Sequence, residues 1–469
     1  MARIAVFVDH DIVVRHFVLS GVLAPLWAEH DVVFVFPQNH RRVRIDPGEL
    51  AIPRFRTIPV AEDRAYLYRC LYHATLLRNI RRGRKQKEQK KLLLDMWWDI
   101  LGWRGRFEPW RGYFKPWICS WRATLPLYRR RMLRRIGEDE ALNRLLAEEK
   151  PDVIVHPTVL EGLFVSDLVQ WGRAHGTPTV FIMNSWDNPS TRAMLAGHPD
   201  RLVVWGEQTA KDAVRHLRTP ADRVVRLGAA QFDVYRRSPK TAPAEFRRKL
   251  GVPDGAKVLL YAGSSKGLDE SRHLLQLERA IESGQLRNCF VVYRPHPWRQ
   301  YPEGEADFFS LTWKHVVLEP SMEACYRQSR AGQRIRIELA DYEDTHVALS
   351  AADAVISPLS TILLEAALHG KPVAVYLPDE DMAGDRFMYA VARMTFFREF
   401  FERVGCVKCE SPTRFVDDCG ALLRITEEPG IATRLKTQCA YFVESSDRAY
   451  AERLGEVIGA LLRSERKTC

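Results

Sequence analysis

The sequence predicts an α/β protein made of two successive doubly wound domains. Apolar runs of strand length alternate with longer amphipathic stretches, the pattern of a parallel sheet covered by helices. The alternation runs twice, on either side of Arg236 to Ala244, a stretch with prolines at 239 and 243 that reads as a linker. A chain of 469 residues is long enough for two or three domains, each with its own core.

The first alternation opens with strand Arg3 to Val8, helix Val13 to Ala28 and strand Asp31 to Phe36, one βαβ unit. After a charged helix near Glu138 to Lys150 come strand Val153 to Val155, helix Leu160 to Ala174 and strand Thr179 to Ile182. Strand Leu202 to Trp205, helix Gln208 to Leu217 and strand Val224 to Leu227 complete the set. These elements define a first domain over 1–235. The second domain spans 245–469, with strands Val258 to Ala262, Phe290 to Tyr293, Ile335 to Glu338, Ala354 to Ile356 and Val373 to Tyr376. It closes on helix Ala449 to Arg463, expected to pack back toward the first domain. Two such domains leave a cleft facing the carboxyl ends of both sheets, where ligands bind in doubly wound folds.

No apolar run approaches the roughly 18 residues of a membrane-spanning helix, and Ile4 to Val8 is too short for a signal-peptide core. A cytoplasmic protein is expected. Nine cysteines without a regular framework read as reduced thiols, and Cys406-x-x-Cys409 lacks the second pair that a tetrahedral zinc site needs. Net charge is +11, yet Arg64 to Arg135 alone holds 20 basic and 4 acidic residues, so the rest of the chain is slightly acidic. The same stretch, 64–135, carries six of the twelve tryptophans: Trp97, Trp98, Trp103, Trp110, Trp117 and Trp121. It reads as a helical insertion that docks on an anionic membrane surface, because tryptophan suits headgroup depth and arginine the lipid charge. Burial of the tryptophans in a hairpin core is the competing reading. Nucleic-acid binding is the non-enzyme alternative, but no nucleic-acid module is recognisable and none is expected as a partner.

The most informative motif runs from Asp353 through Ser357-Pro358-Leu359-Ser360-Thr361 to Glu365-Ala366. A buried strand ends in a hydroxylic turn that opens a helix, so amides and hydroxyls at Ser360 and Thr361 suit a diphosphate. Glu365, about one helical turn on, suits ribose hydroxyls. The turn Arg294-Pro295-His296-Pro297 ends another strand and presents a guanidinium and an imidazole stiffened by two prolines. Gly263-Ser264-Ser265 follows the second domain's first strand and offers further phosphate donors.

These motifs, with the terminal helix, resemble the donor half of GT-B glycosyltransferases of bacterial surface-polysaccharide synthesis. Asn184-Ser185-Trp186-Asp187-Asn188-Pro189-Ser190 and Gly228 to Tyr235 are similar to a group related to teichoic-acid glycerophosphotransferases and UDP-GlcNAc 2-epimerases. The resemblance implies a GT-B fold and a nucleotide-sugar donor as substrate, with UDP favoured over CDP or GDP and no separate cofactor. The acceptor it implies is a saccharide or lipid-linked saccharide at the inner face of the plasma membrane. A glycine-rich turn typical of epimerases is replaced here by Ser357-Pro358-Leu359-Ser360, which counts against epimerisation, while CDP-polyol phosphotransfer remains an alternative compatible with the same nucleotide half. Asp9 and Asp11 spell a D-x-D, but it follows the very first strand, and no metal site is expected.

Inverting transfer needs a base for the acceptor hydroxyl and stabilisation of the departing diphosphate. The base is expected at strand ends of the first domain, among Asp9, His10, His156, Glu161 and Asp187, with His156 preferred for its near-neutral intrinsic pKa. Gly263, Ser264, Ser265, Arg294, His296, Ser360 and Thr361 are expected to hold the leaving group, and Glu365 the ribose.

Overall fold

The computed structural model describes residues 1–38, 43–81, 118–160, 164–265, 268–333, 341–377 and 394–465. The chain divides into two compact units, Met1–Asp233 with Tyr441–Cys469, and Val234–Ala440. Each is built on one parallel sheet.

In the first unit the strands are β1 (Arg3–Phe7), β2 (Asp31–Pro37), β3 (Phe55–Ile58), β4 (Val153–Thr158), β5 (Thr179–Met183), β6 (Arg201–Val204) and β7 (Val224–Arg226). They lie in the order β3-β2-β1-β4-β5-β6-β7. The chain thus builds outward from β1 in one direction and from β4 in the other, which makes the β1/β4 junction the topological switch point. Both faces of the central strands are covered, so Ile4 to Phe7 and Val153 to Val155 are continuous apolar runs without solvent contact. β3 was not expected from the sequence. It lies at the sheet edge, where three of its four residues are exposed, so it lacks the apolar signature of the inner strands.

The single helix expected over Val13 to Ala28 is interrupted. Helical turns over Asp11–Val13 and Val14–Leu19 end at Ser20, Gly21 turns the chain with φ of 72°, and a new helix, Ala24–Glu29, begins with Pro25 in its first turn. Glycine permits the left-handed residue, and proline at a helix start has no amide to offer the preceding turn.

The first unit is completed by residues that follow the second alternation in sequence. Helix Tyr450–Glu465 sends Tyr450, Leu454, Ile458 and Leu461, one helical face, into the core around Ile4, Phe17 and Phe34. Backbone bonds tie the returning chain down: Gln208 N–H to Tyr441 O (3.0 Å) and Glu444 N–H to Trp205 O (2.7 Å). The Asp233 carboxylate accepts from the Tyr450 amide at 3.0 Å.

The described flanks of the basic stretch, helices Glu62–Arg81 and Thr124–Ile136, pack together in the first unit over Leu71, Leu76, Leu77, Met132 and Leu195. Arg64 anchors them through Asp139 (2.7 Å) and Asp167 (2.8 Å). Trp121 is 46% exposed. The other five tryptophans of 64–135 lie outside the described residues.

The second unit contains β8 (Lys257–Ala262), β9 (Cys289–Arg294), β10 (Val316–Leu318), β11 (Ala354–Ser357), β12 (Val373–Tyr376) and β13 (Val407–Cys409), in the order β10-β9-β8-β11-β12-β13. Its switch point is the β8/β11 junction. The strand expected at Ile335 to Glu338 lies outside the described residues. The edge strand β10 was missed because its three residues are flanked by Lys314, His315 and Glu319. Helix Pro243–Lys249 begins within the stretch read as a linker.

Gly206 tests the return of the chain to the first unit. A β-carbon there would lie 2.6 Å from the Phe442 backbone. Gly206→Ala should therefore destabilise the protein by about 1–3 kcal/mol through overpacking, read as a lowered denaturation midpoint. Unchanged stability would show that the contact is readily relieved.

Candidate functional site

Both switch points carry sequence-predicted site residues, because each lies where a strand end releases the chain into a turn. In the first unit Asp9 follows β1, and His156 lies in the adjacent β4. His156 Nδ1 is 2.9 Å from the Phe7 carbonyl oxygen, which only accepts, so Nδ1 carries the hydrogen. Nε2 then turns a lone pair toward Asp9 Oδ2 at 3.6 Å. The Thr158 hydroxyl donates to the same oxygen at 3.4 Å. His156 is fully buried against the rings of Phe7, Phe164 and Phe181. That burial pushes its pKa down against the pull of Asp9. Asp9 Oδ1 and His156 Nε2 have no hydrogen-bond partner among the described residues.

The remaining base candidates have structural duties. His10 Nδ1 accepts from the Ile12 amide at 3.1 Å and caps the turn that follows β1. A neutral His10 ring is therefore a donor through Nε2. Asp187 accepts from the Thr191 hydroxyl (3.2 Å) and holds the short helix Asn188–Thr191. Glu161 lies outside the described residues. Asp11 accepts from the amides of Arg44 (2.7 Å) and Ile45 (3.2 Å), so the two carboxylates of the D-x-D serve different partners.

Sequence reasoning missed His16 and Asn184, both buried. The pKa of His16 is lowered to about 3 by burial, with Arg15 adding to the shift and Asn184 opposing it. His16 is hidden in the apolar run Val13 to Leu19 and reads as core. Asn184 directly follows β5, and a polar residue at that edge was the available signal.

In the second unit, Gly263, Ser264 and Ser265 follow β8, Arg294 ends β9 and Ser360, Thr361 and Glu365 follow β11. The order β9-β8-β11 brings all of them to the carboxyl edge of adjacent strands. The Ser357 hydroxyl is fully buried and has no partner among the described residues. Thr361 precedes helix Ile362–Leu368 without capping it through its side chain. Among the described residues, neither the Ser360 nor the Thr361 hydroxyl makes a hydrogen bond. Two hydroxyls on the turn are thus available to an oxygen-rich ligand, with that of Ser357 buried behind them at the end of β11.

Glu365 is buried and accepts a hydrogen bond from the Tyr235 hydroxyl. Tyr235 packs on His346 and His369. His296 Nδ1 accepts from the Trp298 amide at 3.1 Å, so a neutral ring donates through Nε2. Ser264 is committed inward: its amide donates to Glu270 (2.8 Å), and its carbonyl accepts from Arg299 (3.2 Å). A β-carbon at Gly263 would collide with the Glu270 carboxylate, which accounts for the glycine.

Arg294 has partners within the protein. It pairs with Glu319, donates to Ser321 at 3.3 Å and to Thr345 at 2.8 Å, and is buried together with Glu319.

Neither a protein-family model nor a curated protein sequence matches the chain. Solved structures do. A Listeria monocytogenes protein assigned as a UDP-N-acetylglucosamine 2-epimerase is 12% identical, with 99% of this chain and 97% of that one covered, at a TM-score of 0.53. The Rickettsia bellii UDP-N-acetylglucosamine 2-epimerase is 12% identical, with 100% and 99% covered, at 0.52. S. aureus MnaA, in a co-structure with UDP, is 13% identical, with 99% and 97% covered, at 0.51. At these identities the likeness is one of fold: the chain has two parallel-sheet α/β domains of the GT-B kind, as the motifs implied.

Arg294→Ala would leave Glu319 buried without its cation. A loss of about 3–5 kcal/mol in unfolding free energy is expected, measured by urea denaturation. A loss below about 1 kcal/mol would show that the pair is not needed to satisfy the buried carboxylate.

Proposed function

We propose that the chain is a glycosyltransferase that moves a sugar from a nucleoside-diphosphate donor to a surface-polysaccharide or lipid-linked acceptor. The observation that carries this reading is the turn after β11. Ser360 and Thr361, and Ser357 behind them, carry hydroxyls without partners among the described residues at the switch point, and Glu365 lies one helical turn on, oriented by Tyr235. In this reading the hydroxyls and His296 bind the diphosphate, and Glu365 accepts from the ribose. The acceptor oxygen bonds to the anomeric carbon as that carbon's bond to the diphosphate oxygen breaks. The electron pair of the broken bond leaves with the diphosphate, and the proton of the acceptor hydroxyl passes to a general base. Donors aimed at the growing negative charge lower the barrier.

UDP is the nucleotide we assign, in keeping with the UDP bound to S. aureus MnaA. A second reading, 2-epimerisation of a UDP-sugar, is favoured by the two neighbours assigned as UDP-N-acetylglucosamine 2-epimerases. CDP-polyol phosphotransfer would use the same nucleotide half.

Thermal shift with UDP, CDP, GDP, ADP, CMP and dTDP comes first, because a ligand bound only to the native state raises its stability. UDP should raise the midpoint most, and the Ser360→Ala, Thr361→Ala double variant should lose about 1–3 kcal/mol of UDP binding, or about 5- to 150-fold in affinity. Incubation with UDP-sugars and saccharide acceptors should then release UDP only with acceptor present. A C2 epimer formed without acceptor selects the second reading, and release of CMP from a CDP donor selects the third.

The acceptor's setting enters the same proposal. In and beside helix Thr124–Ile136, Leu127 (71% exposed) and Trp121 accompany exposed Arg122, Arg130, Arg131, Arg134 and Arg135. This is the composition of a peripheral contact with an anionic bilayer. No described helix is long and apolar enough to cross a membrane. The protein should float with anionic vesicles at low salt and be released at high salt as screening grows. Sedimentation away from such vesicles at low salt would remove the membrane from the reading.

A further inference from the structure

Beneath the turn that leaves β8 lies a buried ionic triad that the reaction above does not use. Arg299 pairs with Glu270 and, at 2.7 Å, with Glu305, and the three side chains are almost without solvent contact. Arg299 also donates to the carbonyls of Ser264 (3.2 Å) and Leu268 (2.6 Å), on either side of the turn. Glu270 accepts from the Ser264 amide and, at 2.8 Å, from the Tyr293 hydroxyl, so both of its oxygens are engaged. Glu305 Oε1 accepts from the Glu270 amide at 3.1 Å, while Oε2 is buried with no partner among the described residues.

One guanidinium and two ionised carboxylates would bury a net negative charge directly under the Gly263–Ser265 turn, whose strand β8 lies between β9 and β11, the strands that lead to His296 and to Ser360 and Thr361. Burial at that cost favours uptake of a proton. The orphaned Glu305 oxygen has room in its hydrogen-bond inventory for that proton, whereas the Glu270 oxygens already accept. Around the triad, Tyr261 from β8 and Tyr293 from β9 have pKa values raised by burial and stay neutral, and Tyr261 bonds His273 (2.7 Å) on helix Glu270–Glu282. Asp269 and Tyr301 lie beside it, Tyr376 lies beside Tyr261, and the Arg330 guanidinium donates to the Glu305 carbonyl oxygen and packs on the Tyr301 ring.

We propose that Arg299, Glu270 and Glu305 form a one-proton positioning element for the Gly263–Ser265 turn: protonated, the triad is neutral and holds the turn for a nucleoside diphosphate; deprotonated, it weakens that binding. The inference rests on the nucleotide reading above. Burial raises the pKa of both carboxyls, that of Glu270 to about 7, and the two titrate as a coupled pair. The fold therefore binds the proton more tightly than the unfolded chain does. The resulting stability is fully present below the unfolded carboxyl pKa and is lost as pH rises through the raised folded pKa.

The test compares the wild type with Glu305→Gln, which keeps the Arg299 contact but cannot ionise, and with Glu270→Gln as a second variant. Without ligand, the wild type should lose stability relative to Glu305→Gln as pH rises from about 5 to 8, read as a diverging melting temperature. With UDP, its affinity should fall relative to the variant's, approaching about tenfold per pH unit, the limit for one proton. Parallel ligand-free curves for the wild type and both variants would overturn the one-proton element. Diverging stability with parallel UDP affinities would overturn its coupling to the turn. If no protein binds UDP, CDP or GDP at any pH, the nucleotide reading fails, and the ligand-free curves still decide whether the triad holds the proton.

Discussion

The parallel backbone ladder at two strand junctions is the constraint on which the rest of the structure depends. β1 pairs with β4 through Ile4↔Val153 and Val6↔Val155, and β8 pairs with β11 through Leu259↔Ala354 and Tyr261↔Ile356. A parallel pair requires a long crossover, and both faces of its sheet are then covered. The strands become apolar throughout, and polar chemistry collects at their carboxyl ends. At the two junctions the crossovers leave in opposite directions, so the edge there is open to side chains from both.

What the two edges do with that position differs. In the first unit, the Asp9–His156 pair is enclosed by aromatic rings and defined by a carbonyl, Phe7 O, that fixes the imidazole tautomer. In the second, ionic pairs sit one layer below the turn residues: Arg294 with Glu319, and Arg299 with Glu270 and Glu305. These charges hold backbone in place. The hydroxyls of Ser360 and Thr361 lie on the turn itself, with that of Ser357 behind them, and carry no such duty. Buried ion pairs seldom add net stability over an apolar equivalent, so their presence under a turn is best understood as positioning.

The inner strands were legible in the sequence because their apolar runs report two covered faces; β5, β8, β11 and β12 fall within a residue of the expected positions, while β4 runs three residues further than expected, to Thr158, and takes in His156. The edge strands β3 and β10 were not, since a half-exposed edge removes that signal. Helix Val13 to Ala28 reads as continuous because its apolar spacing continues across Gly21, whose left-handed backbone breaks the helix. For the site, the strand-turn-helix at Ser357 to Glu365 and the strand ends at Asp9 and His156 were visible as local patterns. Tyr235, Arg299 and Glu319 were not, because their importance lies in partners 130, 29 or 25 residues away.

By itself the sequence determined that two parallel sheets form, where their inner strands run and which turns carry hydroxyl and imidazole groups, because these depend on periodicity and on residues near one another in the chain. Tertiary structure alone decided that Arg294 pairs with Glu319 and that the Ser264 amide points inward to Glu270. Each of those outcomes turns on which long-range partner reaches a group first in a low-dielectric interior. There an unpaired charge or amide is costly enough to override the role its local motif suggests.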